Sequence, residues 1–437
     1  MKHRRSDLLI PALAGLLINL SAGESCLALT LDEAVALARK NLPAHQAVKT
    51  RVLSAEARAT ESLSPYFPTL DLSGSENRIR ETSPSDDSYS ASQFDATVSY
   101  LVYDFGKRRA GREIALLDLA TAREEVSRSG LDLEYGVKAA YYTLVAQRGI
   151  RDQRRLQLDN ARTDHEVASG RYGLGVAKRS DVLKASVRLK QAEYDLRAAE
   201  GAYLKALNTL NSLIGRDPGA SDDLATPLLS SPPRIDEQGL VEAARGRPEV
   251  QQAAKAVEIS QRNEDLIRGT FLPDITLDAG YSSFETGGSL MDTSSEESIA
   301  GLRATWNVFE FGKIFRKRAA TTDTEAARHI LAETERQVFL EVRNAREDLV
   351  TAQESLVLAE DQLRDAEFSY RQALGEYRVG TGDILSLVQA ETDLARSREQ
   401  HVAALFDLSL SVTALERAVG APIVHLSPTK APQGPTP

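Results

Sequence analysis

The side chains best suited to chemistry are few and far apart. Past the first residues, histidines stand only at His45, His165, His329, His401 and His425. Cys26 is the single cysteine, and Met291 is the single methionine after Met1. Zinc and copper sites need several soft or imidazole ligands at close spacing, and no pair here has it. The patterns GxSxG, HExxH and the Walker loop are missing as well. The sequence therefore predicts no enzyme, no metal centre and no cofactor.

The remaining polar groups of interest sit in two related phrases, "YGLGVAKRSD" at 172–181 and "YRVGTGD" at 377–383. Glycine at 173, 175, 380 and 382 permits tight reversal of the chain. Ser180, Asp181 and Asp383 are spaced to cap whatever helices leave these turns. What these turns do depends on the elements that carry them.

Those elements occur twice. Pro43, Pro68, Tyr172, Gly175 and Gly215 each find an identical residue 205 positions later, at Pro248, Pro273, Tyr377, Gly380 and Gly420. Repetition on this scale takes precedence over any local motif. The units run over 29–215 and 236–420, joined by the Pro/Ser/Asp-rich stretch 216–235. The segment 421–437 is expected to be a disordered tail. Residues 1–28 have the basic start, short apolar run and small residues of a secretory leader, with cleavage expected after Ala28. Glu24 in "GES" just before Cys26 does not suit acylation of that cysteine.

Proline is absent from 85–217 and from 274–421, and both windows are rich in helix formers. Long helices are expected at 107–170, 178–214, 312–376 and 383–419. In the second of these Val182, Leu189, Leu196, Tyr203 and Leu210 recur every seven residues, with Ala185, Ala192, Ala199 and Ala206 three later. The last helix repeats the pattern from Leu387 and Ala390. A 3.5-residue seam of alternating large and small side chains means coiled-coil packing with close helix approach.

Between helices the period falls to two. Phe94, Ala96, Val98, Tyr100 and Val102 alternate with Asp95, Thr97, Ser99 and Leu101. The same alternation marks strands near 66–75, 93–103, 271–284 and 298–309, with long polar turns between. Net charge is −10, which leaves no basic footprint for nucleic acid. No run beyond the leader is long and apolar enough for a membrane helix, so any membrane crossing must use strands. Four strands cannot close a transmembrane barrel, and open edges in lipid are prohibitive, so several copies must share one. A soluble sheet packed on helices, in a purely structural periplasmic coiled-coil protein, is the competing reading of the same alternation.

At "LTLDEAVALARKNLP", "PYFPTLDLSGS", "LVYDFGKRRA", "RYGLGVAKRSDVLKASVRLKQAE", "WNVFEFGK" and "EYRVGTGDILSLVQAETDL" the chain resembles the TolC-type outer-membrane efflux and secretion channels. The resemblance implies a mainly α chain with a transmembrane β portion, a homotrimer with a twelve-strand barrel and a twelve-helix periplasmic tunnel. It implies the outer membrane of a Gram-negative-type bacterium, and passive export through a periplasmic adaptor and an inner-membrane pump. The duct of a type I protein secretion system is the alternative it leaves open. Adaptor docking is carried by resemblance onto the tips, Tyr172, Gly173, Leu174, Gly175, Val176 and Ala177, and Tyr377, Arg378, Val379, Gly380, Thr381 and Gly382. Some members carry aspartates at the pore mouth where this chain has Ser386 and Gln389, which leaves Asp383 as the acidic candidate there.

Two further phrases mark the expected barrel–tunnel junction, Asp104, Phe105, Gly106 and Glu310, Phe311, Gly312. Cations at Lys107, Arg108, Arg109 and Arg112, and at Lys313, Arg316, Lys317 and Arg318, are unfavourable at helix N-termini. Contact with lipid headgroups at the periplasmic surface is expected to explain them.

Overall fold

The computed structural model describes residues 28–81, 87–220, 223–231, 237–288 and 293–423. The leader up to residue 27 and the tail from 424 lie outside them. The first unit contains α1 (Leu31–Asn41), α2 (Pro43–Glu61), β1 (Thr69–Glu81), β2 (Asp87–Tyr103), α3 (Lys107–Gly173) and α4 (Arg179–Ile214). The second contains α5 (Glu237–Ala244), α6 (Pro248–Gly269), β3 (Asp274–Gly288), β4 (Thr293–Thr305), α7 (Phe311–Val379) and α8 (Ile384–Val419).

Local chemistry sets the boundaries. Thr30 and Glu33 form a reciprocal capping box on α1. Pro43 and Pro248 open α2 and α6, where a missing N–H costs nothing. α3 has 67 residues and α7 has 69, each about 100 Å long. In α4 the small seam residues Ala185, Ala192, Ala199 and Ala206 are buried, while Leu189 and Leu196 are half-buried. In α8 both seam positions are buried, Leu387, Leu394 and Leu408 with Ala390 and Ala404.

Near the tips α4 packs on α3, α3 on α8 and α8 on α7. Nearer the sheet the order is α2, α3, α6, α7. The helices thus form a wall whose outer members are α4 or α2 on one side and α7 on the other. Two equivalent apolar cores brace it at mid-height. One joins Leu29, Val137, Tyr141, Leu144, Leu210 and Ile214; the other joins Leu240, Val342, Leu349, Leu408 and Leu415.

The stretch 216–235 is more than a spacer. Leu224 bridges Leu29, the Tyr141 hydroxyl donates to Leu29 O at 2.8 Å and accepts from Thr226 N at 2.9 Å, and Leu229 N donates to Ser409 Oγ at 2.9 Å. Within residues 223–231, Pro227 suits an extended path and Leu224, Leu228 and Leu229 cover both cores; residues 221, 222 and 232–235 lie outside the described ones. Likewise Ala421–Ile423 are not part of a loose tail, because Ile423 is buried in the second core.

The four strands form one antiparallel sheet in the order β1-β2-β3-β4. They differ in extent from the sequence expectation. β1 begins at Thr69, after a short 3-10 turn at Ser64–Tyr66, and the expected strand at 298–309 stops at Thr305. At their other ends all four strands run well into segments read as turns. The alternation fades there because both faces carry polar residues, such as Glu76 opposite Ser92 and Ser92 opposite Glu285.

Candidate functional site

The register sorts the sheet into two faces. Leu70 lies opposite Val98, Val98 opposite Ala279, and Ala279 opposite Ala300. Leu72, Ala96 and Tyr281, then Tyr100, Leu277 and Leu302, make parallel rows on the same face. Nine residues, Phe94 to Val102, span this band on β2. At about 3.4 Å each and a tilt near 40° they rise roughly 23 Å, close to the apolar height of a membrane barrel. The other face is polar. Asp95 accepts hydrogen bonds from Ser282 at 2.7 Å and Ser73 at 3.3 Å, and Arg303 meets Asp278 at 3.2 Å. β1 and β4 are the two edges, each hydrogen-bonded on one side only within the chain.

The junction explains its cations differently from expectation. The Asp104 carboxylate is buried and accepts the N–H groups of Gly106 and Arg108, capping α3. Phe105 has φ 54° and Gly106 φ 90°, so two successive left-handed residues turn strand into helix. The Arg108 guanidinium bends back to the carbonyls of Leu101 at 2.7 Å, Pro65 at 3.1 Å and Val102 at 3.2 Å. Lys107 pairs with Asp274 at 2.7 Å. Lys313 is buried and donates to Thr270 O and Asn307 O, while Arg316 pairs with Glu310. Lys107, Arg108 and Lys313 therefore do not face headgroups. They hold backbone carbonyls and a carboxylate where strands end and lose their ladder partners. Arg109, paired with Glu113 one turn on, and Arg112, Lys317 and Arg318 remain exposed, as do Phe309, Phe311 and Phe315.

At the tips the two turns differ. Gly175 N donates to Tyr172 O and Val176 N to Arg171 O, closing the first with φ 75° at Gly175. Gly380, at φ 89°, and Thr381 donate to Glu376 O in the second. Tyr172 is 48% exposed, but its counterpart Tyr377 is 2% exposed beneath the Arg171 guanidinium, 4.5 Å from the ring centroid. Arg171 also donates to the Tyr377 carbonyl. Leu174, Val176, Val379 and Leu385 project into solvent. Gly173 and Arg378 lie in the last turns of α3 and α7, and Ala177 and Gly382 complete the two connections.

Asp383 caps α8 through Ser386 N at 2.7 Å, and that backbone N–H lowers its pKa. Ser180 does not cap α4; Lys178 occupies the cap position, and Asp181 accepts its N–H from inside the first turn. Gln389 donates to Asp393 at 3.0 Å, so a carboxylate follows one turn beyond the position where the sequence reading sought one.

A second set of tip-proximal groups went unseen in the sequence. Tyr370 donates to Asp164 at 3.4 Å, and Arg188 donates to Glu391 at 2.6 Å and to Thr392. Arg154 links Asp195 and Glu399 higher up. Burial, reinforced by Glu391, pushes the Asp164 carboxyl up to about 6. Partners such as 164 and 370 are about 200 residues apart, so no local pattern announces them.

Among the described residues, no three His, Cys, Asp or Glu side chains group to hold a metal ion, and no helix is long and apolar enough to cross a membrane.

The family model described as outer membrane efflux protein matches residues 34–216 and again 239–421. Protein CyaE of Bordetella pertussis is 28% identical over 399 residues, spanning 90% of this chain and 84% of that protein. The toluene efflux pump outer membrane protein TtgC of Pseudomonas putida is 25% identical over 254 residues, 55% of this chain and 50% of its own length. Among solved structures, VceC of Vibrio cholerae superposes with a TM-score of 0.77 at 19% identity, covering 90% of this chain and 96% of that one. CusC gives a TM-score of 0.80 at 16% identity, covering 96% and 99%.

Proposed function

The chain belongs to the outer membrane efflux protein family, and from that premise we propose that it is the passive outer-membrane duct of a tripartite efflux pump. Three copies close a twelve-strand barrel, and their helices continue it as a periplasmic tunnel. Each copy contributes the duplicated units 29–215 and 236–420, and residues 1–28 are the export leader. The observation that carries the reading is a sheet with an apolar band across one face and two edges unpaired within the chain, set on helices about 100 Å long. An apolar face of this height belongs in lipid, and neither edge can stay open there. A soluble structural coiled-coil protein has no use for either feature.

The tips supply the periplasmic end. Leu174, Val176, Val379 and Leu385 offer an apolar rim that suits an adaptor. Asp383, Ser386 and Gln389 stand at the start of α8, where three copies form a mouth with one ring of carboxylates at Asp383. The cargo passes along the polar face that carries Asp95 and Asp278. The test is photo-crosslinking in cells from positions 174 and 379. Capture of a periplasmic adaptor is the expected result, and the adaptor's own pump partner separates small-molecule efflux from polypeptide secretion. Crosslinks confined to copies of this chain would overturn the docking role.

A further inference from the structure

The cations that follow the two strand-to-helix junctions divide into two groups. Lys107, Arg108, Lys313 and Arg316 are engaged within the chain. Arg112 on α3 and Arg318 on α7 are exposed, and neither guanidinium has a hydrogen-bond or ion-pair partner among the described residues. The two arginines are equivalent. Adding 206 to 103, 105 and 112 gives 309, 311 and 318, so Tyr103, Phe105 and Arg112 become Phe309, Phe311 and Arg318. The two hairpins obey the same offsets: adding 205 to Leu70 and 206 to Val98 turns that pair into Ile275 opposite Ala304.

Both sets continue the apolar band of the sheet. A bulge between Leu101 and Tyr103 brings Tyr103 opposite Ile275, in line with Leu277 and Ala279. The Tyr103 and Phe105 rings then meet edge to face at 4.7 Å, and Phe311 meets Phe315 at 5.0 Å. All four rings are exposed. The polar side of the junction is marked by Lys107, which reaches Asp274, in line with Thr276 and Asp278. Arg112 lies about 140° around α3 from Lys107, away from that side. α3 sits between α2 and α6, and Arg112 is exposed with both in place. A second copy's α2 beside α7 therefore leaves Arg318 equally open.

Height and chemistry agree on what these arginines meet. Each stands five residues beyond its equivalent lysine, Lys107 or Lys313, which is about 8 Å along the helix. Helical side chains lean toward the N-terminus, here back toward the sheet. The guanidinium thus falls in the headgroup layer, roughly 5–7 Å thick outside the hydrocarbon. A free guanidinium offers a planar fork that matches phosphate oxygens, and it is weakly hydrated. The rings below it offer an apolar wall for acyl chains.

We propose that Arg112 and Arg318, each set above an aromatic pair, bind the phosphate of a glycerophospholipid in the periplasmic leaflet, giving two lipid sites per chain. Their place at a membrane surface rests on the duct reading. The lipid seals the junction where the sheet ends and the helices begin, and it fixes the depth of the barrel.

The test uses the full-length protein, purified in dodecyl maltoside and stripped of lipid. Native mass spectrometry with added phosphatidylglycerol should show discrete lipid adducts. Dioleoylglycerol, which lacks the phosphate, should bind at least about tenfold more weakly. Arg112→Gln combined with Arg318→Gln should weaken phosphatidylglycerol by a similar factor, and Arg112→Lys with Arg318→Lys should restore part of the loss. Arg328→Gln, which removes an exposed cation farther along α7, should change nothing. Excess inorganic phosphate should not displace the lipid, because it has no chains for the rings to hold. Equal binding of dioleoylglycerol, or undiminished binding by the double glutamine variant, overturns the site. Displacement by inorganic phosphate would make it a site for free anions and overturn the lipid assignment. Conductance in planar bilayers separates the two ideas: channels that conduct but bind lipid without regard to phosphate refute the site alone, and protein that binds phosphatidylglycerol but never conducts refutes the duct.

Discussion

Asp104 accepts the backbone N–H of Arg108 while the Arg108 side chain returns to three carbonyls at the end of the sheet. The pair turns an unfavourable cation at a helix start into a clasp between strand and helix. Asp104→Ala removes the cap and should cost about 1 kcal/mol. Arg108→Ala removes a charged donor from three carbonyls and should cost about 1–3 kcal/mol. Arg108→Lys should rescue little, because one ammonium cannot reproduce the planar fork. Thermal melting of the detergent-extracted protein checks this. An Arg108→Ala variant that melts with wild type would remove the clasp from the account.

The tip residues should matter for docking and not for folding. Val176→Asp and Val379→Asp place charge on side chains that touch little in this chain, so melting should shift by no more than about 0.5 kcal/mol. Adaptor capture should fall at least about tenfold, since a buried unpaired charge at an interface costs several kcal/mol. Pull-down with the cognate adaptor measures it, and undiminished capture would place the docking surface elsewhere.

Cap and charge can be separated at Asp383. Asn caps about as well as Asp, so Asp383→Asn should leave α8 intact and lower the cation preference of the reconstituted channel. Ser386→Asp with Gln389→Asp should raise it severalfold by adding carboxylates to the mouth. Reversal potentials in a salt gradient report both. If neither change moves the reversal potential, these positions do not line the mouth.

His45 gives a pH dependence outside the tips. It is buried between α2 and α3 with Ser129 Oγ 3.0 Å from Nδ1. Burial, then Lys49 and Arg39, lower its pKa below the ordinary 6.5. The folded form thus binds a proton less readily than the unfolded one, and stability falls as pH drops below 6.5. Amide protection factors in Pro43–Glu61, taken relative to the intrinsic exchange rate at each pH, should fall on acidification, and His45→Asn should flatten the response. Equal pH slopes in both proteins would contradict it.

The legible parts of this chain are those where one face of an element meets a different solvent from the other. Phe94 to Val102 alternates because one face meets lipid, and the α4 and α8 seams show a heptad because one side meets a neighbouring helix. Beyond Gly74 both faces of β1 turn polar, and its extension to Glu81 leaves no periodic trace. The junction cations were visible, but their targets are backbone carbonyls, which a sequence does not display. Leu224 and Leu229 looked like linker residues because their partners, Leu29 and Ser409, lie far along the chain. Asp164 and Tyr370 were hidden for the same reason.

The central claim is that unpaired β1 and β4 edges close a barrel only with other copies of this chain. Native mass spectrometry of the protein extracted from outer membranes tests it most directly. The account predicts a homotrimer that falls to monomer only on heating in detergent. A soluble monomer recovered without detergent would contradict it.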